Sequence, residues 1–147
     1  MTNYEEIKWH KRYLEIAKQV STWSKDPSRK IGAVLIGEKG QIISQGYNGF
    51  LPGLPHHSII INEHEIATIH AEQNAIIDCA KRGVSCNESV AYITHYPCLN
   101  CAKLLYASGI KTIYYINDYK NDENIIKLGL VQNQNSREGT SIIKLIT

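Results

Sequence analysis

Two short stretches, far apart in the chain, must meet at one point, and no other feature constrains the fold as much. They are His70-Ala71-Glu72 and Pro97-Cys98-Leu99-Asn100-Cys101. One imidazole and two thiols make a set of borderline-to-soft ligands. Zn2+ prefers four-coordinate sites, and three protein ligands plus a water is its catalytic arrangement. Glu72 stands two residues from His70, near enough to reach that water without ligating the ion. Cys98 and Cys101 share one helix face if a helix starts near Pro97, a residue suited to the first helical position. The partial positive charge of a helix N-terminus also lowers cysteine pKa.

This grouping suits hydrolysis, and the pattern H-x-E…P-C-x-x-C that it matches goes with hydrolysis of an amine from an aromatic ring. Replacing such an amine by oxygen needs hydroxide at neutral pH. Free water, with a pKa of ~15.7, supplies almost none, whereas zinc-bound water ionises near ~7. A carboxylate beside the metal can take a proton from the water and pass it to the ring nitrogen and the leaving amine. Two other readings of the cysteines stay open on residues alone. A redox C-x-x-C pair would leave His70 and Glu72 without a role. A structural zinc normally takes four protein ligands, and no fourth stands at a regular spacing.

Length and charge narrow the class. A chain of 147 residues suits one domain over 1–147 with one core. A net charge of +2 is too small for a nucleic-acid surface, so no nucleic-acid partner is expected. No apolar run approaches the ~20 residues of a membrane span. The polar start Met1-Thr2-Asn3-Tyr4-Glu5-Glu6 lacks a signal-peptide core, so no membrane partner is expected either. Four cysteines, two of them spent on the metal, make no disulfide framework, which points to the reducing cytoplasm.

The hydrophobic pattern predicts alternating elements. Residues 4–24 read as an amphipathic helix carrying Ile7, Leu14 and Ala17, with Trp9 and Trp23 capping its ends against the core. The turn Lys25-Asp26-Pro27-Ser28-Arg29-Lys30 is either a solvated loop or an anion site. The apolar run 31–36 is a buried strand, residues 37–40 a hairpin turn, and 41–47 its partner. Asn48, between glycines, is a turn residue or a ligand contact. Residues 51–66 form a loop in which His56, His57 and His64 could hold an accessory metal. A helix over 68–82, with Ala71, Ala75, Ile76, Cys79 and Ala80 as its apolar face, ends at Gly83. Cys86 follows it, either structural, free or a further ligand. A strand over 89–94 delivers His95 to the edge of the metal site. A helix over 98–108, a strand over 111–116, a short helix within 117–129 and a strand over 141–146 complete an α/β pattern. It predicts a five-stranded mixed sheet between helical layers, a three-layer α-β-α sandwich. The first two strands are antiparallel, and strands separated by helices can be parallel.

Four stretches together resemble one family. They are Lys25-Asp26-Pro27-Ser28-Arg29-Lys30-Ile31-Gly32-Ala33-Val34, Gly46-Tyr47-Asn48-Gly49-Phe50, His70-Ala71-Glu72-Gln73-Asn74-Ala75-Ile76 and Tyr96-Pro97-Cys98-Leu99-Asn100-Cys101-Ala102-Lys103. The pattern H-x-E…P-C-x-x-C marks zinc nucleobase deaminases in general. The Asp-Pro-Ser-Arg and Gly-Tyr-Asn-Gly-Phe stretches look like the deoxycytidylate (dCMP) deaminases of the cytidine deaminase-like superfamily. The resemblance implies a cytidine deaminase-like fold and hydrolysis of dCMP to dUMP and ammonia, feeding thymidylate synthesis. It implies Zn2+ held by His70, Cys98 and Cys101, with Glu72 as the catalytic proton shuttle. It assigns Ser28 and Arg29 to the 5′-phosphate, with Lys25 and Lys30 nearby, Asn48 to the 3′-hydroxyl, and Tyr119 to the substrate by a looser match. It also implies dCTP and dTTP as effectors and a homo-oligomer, hexamer or dimer. Competing readings are a deaminase of dCTP, of free nucleosides or of adenosine in transfer RNA, and a silent relative. Basic residues of the right number for a phosphate argue against the nucleoside, and an intact Glu72 argues against silence.

Overall fold

The computed structural model describes residues 4–131 and 139–146; the polar start Met1-Thr2-Asn3 lies outside them. Helix α1 spans Tyr4–Ser21, followed by strands β1 (Gly32–Ile36) and β2 (Ile42–Tyr47). Four two-residue strands come next: β3 (Gly49–Phe50), β4 (Ile60–Ile61), β5 (His64–Glu65) and β6 (Thr68–Ile69). Then come α2 (Ala71–Arg82), β7 (Val90–His95), α3 (Leu99–Ala107), β8 (Thr112–Asn117), α4 (Asn124–Lys127) and β9 (Ser141–Lys144).

The expected five-stranded mixed sheet is present, in the order β2-β1-β7-β8-β9. β1 pairs antiparallel with both β2 and β7, whereas β7–β8 and β8–β9 are parallel. All five residues of β1 are buried, as a central strand covered on both faces requires. Its side chains alternate between two cores. Ala33 and Leu35 pack with Ala71, Ala75, Cys79 and Leu105 of α2 and α3. Val34 and Ile36 pack with Ala17 of α1 and Tyr92 of β7. Helix, sheet and helix therefore form three layers, with α1 alone on one face.

This connectivity positions the site. The chain leaves β2, crosses by α2 over β1 and enters β7, so β7 runs with β2 and against β1. Both β2 and β7 end at the same edge of the sheet, and α2 and α3 both begin there. Open α/β sheets bind ligands at the carboxyl ends of their strands. Gly46 makes the close approach possible. A Cβ at that position would lie 2.3 Å from the Ala71 carbonyl oxygen and 2.6 Å from the Ala75 nitrogen, so only glycine lets α2 sit this near β2.

Several expectations need correction. α1 stops at Ser21, and Trp9 and Trp23 are 44% and 50% exposed. Trp9 stacks on Tyr13 and Trp23 meets Tyr47 edge-on, so neither caps the helix against the core. Ile7 also faces solvent. The loop over 51–66 contains the β4–β5 hairpin. Its turn residues Asn62 and Glu63 both have positive φ, 51° and 66°, as the tight turn favoured by strand twist requires. The helix expected from residue 68 begins at Ala71, because Thr68 and Ile69 pair with Phe50 and Gly49. Its apolar face excludes Ala80, which is exposed. Gly83 does close α2, with φ 69°. α3 begins at Leu99 with Cys98 as its N-cap, so Pro97 precedes the cap instead of opening the helix.

Candidate active site

Both metal-ligand segments are helix caps. His70 is the N-cap of α2, its backbone N–H donating to Gln73 Oε1 at 2.8 Å. Cys98 is the N-cap of α3, its sulfur accepting the Cys101 N–H at 3.4 Å. An N-cap residue leaves the helical conformation, so its side chain turns back over the exposed N–H groups. Two caps at one edge of the sheet therefore aim at each other. His70 Nδ1 lies 3.5 Å from Cys98 Sγ and 3.2 Å from Cys101 Sγ.

The three donor atoms all lie within 4.8 Å of one another, and among the described residues no other group of three or more potential ligands does so. Three donors with no fourth is the open set of a catalytic zinc rather than the closed set of a structural one. It also gives His70 the role that a redox pair would deny it. Glu72, 4% exposed, sits in the first turn of α2 beside the cluster. Its Oε1 is buried without a hydrogen-bond partner. Such an orphan is rare in a folded protein and calls for a functional reason. A water bound at the cluster supplies that reason, so the residues fit a zinc centre.

The electrostatics agree with the donor chemistry. The Cys101 thiol donates to Cys98 and, with His70, holds the Cys98 thiol down at about 4. Cys101 is pushed far up by the hydrogen bond its thiol donates to Cys98 and by burial. The bond to Cys98 raises His70. Burial raises Glu72 to about 7, a poise suited to accepting and returning a proton near neutrality.

A cleft of about 340 Å3 opens on this cluster, lined by Arg29, Asn48, His64, Glu72, His95 and Tyr119 among others. A separate cavity of about 270 Å3 lies on the α1 face, between that helix and β9, away from the cluster. Arg29 comes from the turn before β1. Asp26 Oδ1 accepts the backbone N–H groups of Ser28 and Arg29 at 2.8 and 3.0 Å, an Asx-type turn that the Asp-Pro-Ser order favours. Asn48 does not simply offer its carboxamide to a ligand. Its Oδ1 accepts the Ile31 N–H at 2.8 Å and its Nδ2 donates to the Arg29 carbonyl at 2.9 Å.

The remaining expected residues divide. Tyr119 reaches the cleft, its ring 3.8 Å beneath the Arg29 guanidinium. Ser28 is exposed and is held at its backbone by Asp26, with no place in the cleft lining. Lys25 points elsewhere: Nζ is 3.1 Å from His56 Nδ1, in a pocket with Trp23, Tyr47 and Phe50. Lys30 is exposed and does not line the cleft. His64 lies at the cleft mouth, and Cys86 bonds the Ser108 carbonyl behind α3. His56, His57, His64 and Cys86 join no ligand cluster among the described residues. Sequence reasoning missed Glu65. Its carboxylate accepts from Ser58, Ile59, Ala67 and Thr68, and the bond from Ser58 leads in holding it below the usual range. It ties the rim hairpin shut, and no local motif announces it.

A sheet with two helix-capping ligand segments at one edge and a buried acid beside them carries the residue set that marks the zinc nucleobase deaminases. Residues 7–117 match the family described as cytidine and deoxycytidylate deaminase zinc-binding region, and the chain belongs to that family. ComE operon protein 2 of Bacillus subtilis (strain 168) is 38% identical over 120 residues, 79% of this chain; the chain spans 63% of that protein's length. Deoxycytidylate deaminase of Enterobacteria phage T4 is 35% identical over 148 residues, covering 72% of this chain and 76% of the phage protein. The crystal structure of dCMP deaminase from cyanophage S-TIM5, in complex with dCMP and dUMP, superposes with a TM-score of 0.79. It is 28% identical, over 99% of this chain and 100% of that one.

Proposed function

We propose that this chain, as one deaminase domain over residues 1–147, hydrolyses dCMP to dUMP and ammonia. The observation that carries the reading is the placing of Arg29 in the same cleft as Glu72 and the His70-Cys98-Cys101 cluster. No carboxylate pairs with that guanidinium among the described residues, which leaves its donors for an anion. The phage relatives named for this activity support it.

His70, Cys98 and Cys101 would hold the zinc, which when bound makes hydroxide available near neutral pH. Glu72 takes the proton that water loses as oxygen adds to the ring carbon bearing the amine. It delivers that proton to the neighbouring ring nitrogen. It then moves a proton to the amine, which leaves as ammonia while the carbon–oxygen double bond forms. Arg29 holds the 5′-phosphate and so fixes the ring against Glu72. The base enters where Glu72 lies buried, out of bulk water.

The same reading carries further parts. Lys25, with the stacked Phe50 and His56 rings at 5.3 Å, is better placed for an effector such as dCTP or dTTP than for the substrate. The exposed Ile59, Ile60, Ile61 and Ile66 on the rim hairpin support a homo-oligomer, hexamer or dimer, in which a second copy covers them. No helix among the described residues is long and apolar enough to cross a membrane. The four free cysteines support a cytoplasmic setting.

The test is ammonia release from dCMP, CMP, dCTP and deoxycytidine, with and without dCTP and dTTP. The reading expects dCMP to be turned over far faster than deoxycytidine, and Arg29→Ala to raise KM for dCMP. Equal rates on dCMP and deoxycytidine would remove the phosphate from the account. A preference for dCTP would reassign the substrate.

A further inference from the structure

One helix cannot cover the α1 face of this sheet. Five strands about 4.8 Å apart span about 19 Å between the outermost two, whereas a helix with its side chains is about 10–12 Å across. α1 packs on β1, β7 and β2. The side chains that β8 and β9 turn to this face, Tyr114, Ile143 and Leu145, therefore look onto the flank of α1 across a cavity of about 270 Å3. The opposite faces of the same strands carry Ile113 and Ile142 into the other core, beneath α2 and α3.

The cavity has apolar walls and unused donors. Leu14, 1% exposed, closes its floor, and Ile7, Ile143 and Leu145 line its sides. Lys11 and Tyr114 also line it. Neither the ammonium nor the hydroxyl has a hydrogen-bond or ion-pair partner among the described residues. The Tyr114 ring is held between the His10 and Tyr92 rings, with centroids 4.4 and 5.0 Å away. His10 Nδ1 is taken up by the Tyr92 hydroxyl at 2.6 Å. Glu6, the acid on this rim, is already engaged within the chain. Burial pushes the Tyr114 phenol up, so it keeps its proton. Two donors, one of them cationic, call for an anionic acceptor as head group, and the walls call for an apolar body.

Size narrows the ligand further. The cavity, about 270 Å3, falls short of the ~300–1,000 Å3 of drug-sized ligand pockets and exceeds the ~150 Å3 of an apolar cavity that holds benzene. It is too small for a nucleotide and suits about eight to twelve non-hydrogen atoms. We propose that this cavity is a binding site for a small hydrophobic carboxylate. Its head group sits on Lys11 and the Tyr114 hydroxyl, and its apolar body lies against Leu14, Ile143 and Leu145. Bound there, it ties α1 to the β8–β9 side of the sheet. The proposal is independent of the deamination reading, because the site lies on the other face of the sheet from α2 and α3.

The experiment is calorimetric titration of the folded, zinc-loaded protein with octanoate, hexanoate and octylamine. Octanoate is expected to saturate one site per chain and to raise the melting temperature. Hexanoate, two methylenes shorter, is expected to bind about tenfold more weakly, and octylamine not to bind. Lys11 is exposed, so Lys11→Glu leaves the core intact; it is expected to weaken octanoate at least ~tenfold. Tyr114→Phe keeps the ring and is expected to weaken octanoate several-fold. Absence of saturable binding, octylamine binding as tightly as octanoate, or octanoate unaffected by Lys11→Glu would overturn the proposal. Displacement of octanoate by dUMP would also overturn it, by placing the carboxylate in the cleft.

Discussion

Cys101 donates its backbone N–H to Cys98 Sγ at 3.4 Å, so the first sulfur of the metal cluster is also the cap of the helix carrying the second. The thiol hydrogen bond from Cys101, then the bond to His70 and the cap, hold Cys98 down at about 4, while Cys101 is pushed up. Of the metal-free pair, Cys98 is therefore the more acidic sulfur.

Zinc loading should then release protons, chiefly from Cys101, which is pushed up, because ligation requires the thiolate and the neutral imidazole; the raised His70 acts in the same direction. The sign is fixed: groups raised in the metal-free protein must lose protons to bind, so affinity increases with pH around neutrality. Indicator dye in weakly buffered protein at pH 7 should report acidification on zinc addition. Binding without proton release, or affinity falling as pH rises, would contradict this proton assignment.

Glu72→Gln should lower deamination by at least ~10²–10⁴-fold, the range for one general acid or base. Its side chain is buried with Oε1 unpartnered, so removing the charge should not lower thermal stability. Zinc content, melting temperature and ammonia release measured on one preparation separate the two effects. Retained activity would place the proton shuttle on another residue.

Gly46→Ala should act at a distance. The added Cβ would meet backbone atoms of α2 at 2.3 and 2.6 Å, and backbone cannot rotate away. The expected cost is about 1–3 kcal/mol or more, with weaker zinc retention, because α2 carries His70 and Glu72. Urea unfolding and metal analysis check it. An unchanged midpoint would mean that α2 is not as closely seated as described.

The site's metal half was legible because it is written locally: H-x-E and C-x-x-C keep their spacing in any fold that places both at helix starts. The strand pairing around residues 37–40 was legible for the same reason. What sequence could not show is where polar side chains spend their hydrogen bonds. Asn48 sits between glycines and looks free, yet both ends of its carboxamide are engaged 17 and 19 residues away. Lys25 and Arg29 share one basic turn, but Asp26 folds the turn so that only Arg29 faces the cleft. Trp9 and Trp23 fit a helical pattern, yet α1 covers the sheet with the small Ala17 and with Leu14 and Val20. The rim strands β4 and β5 are two residues each, too short to leave a periodic signal.

His10 makes stability sensitive to pH on the α1 face. Its Nδ1 lies 2.6 Å from the Tyr92 hydroxyl, and burial lowers its pKa, with Glu6 opposing. A histidine lowered in the folded state adds stability above its unfolded value of about 6.5, and that stability is lost as pH falls through the folded value. The melting temperature should therefore drop between about pH 7 and 5.5, and less so in His10→Gln. An identical pH dependence in the variant would remove His10 from the account.

The most direct test of the whole reading is anomalous scattering at the zinc edge from crystals of the purified protein, with metal counted per chain. The account predicts one zinc per chain, within ~2.0–2.3 Å of His70 Nδ1 and of the Cys98 and Cys101 sulfurs, with Glu72 near the open position. Folded, active protein without zinc, or a zinc bound elsewhere while this cluster stays metal-free, would contradict it.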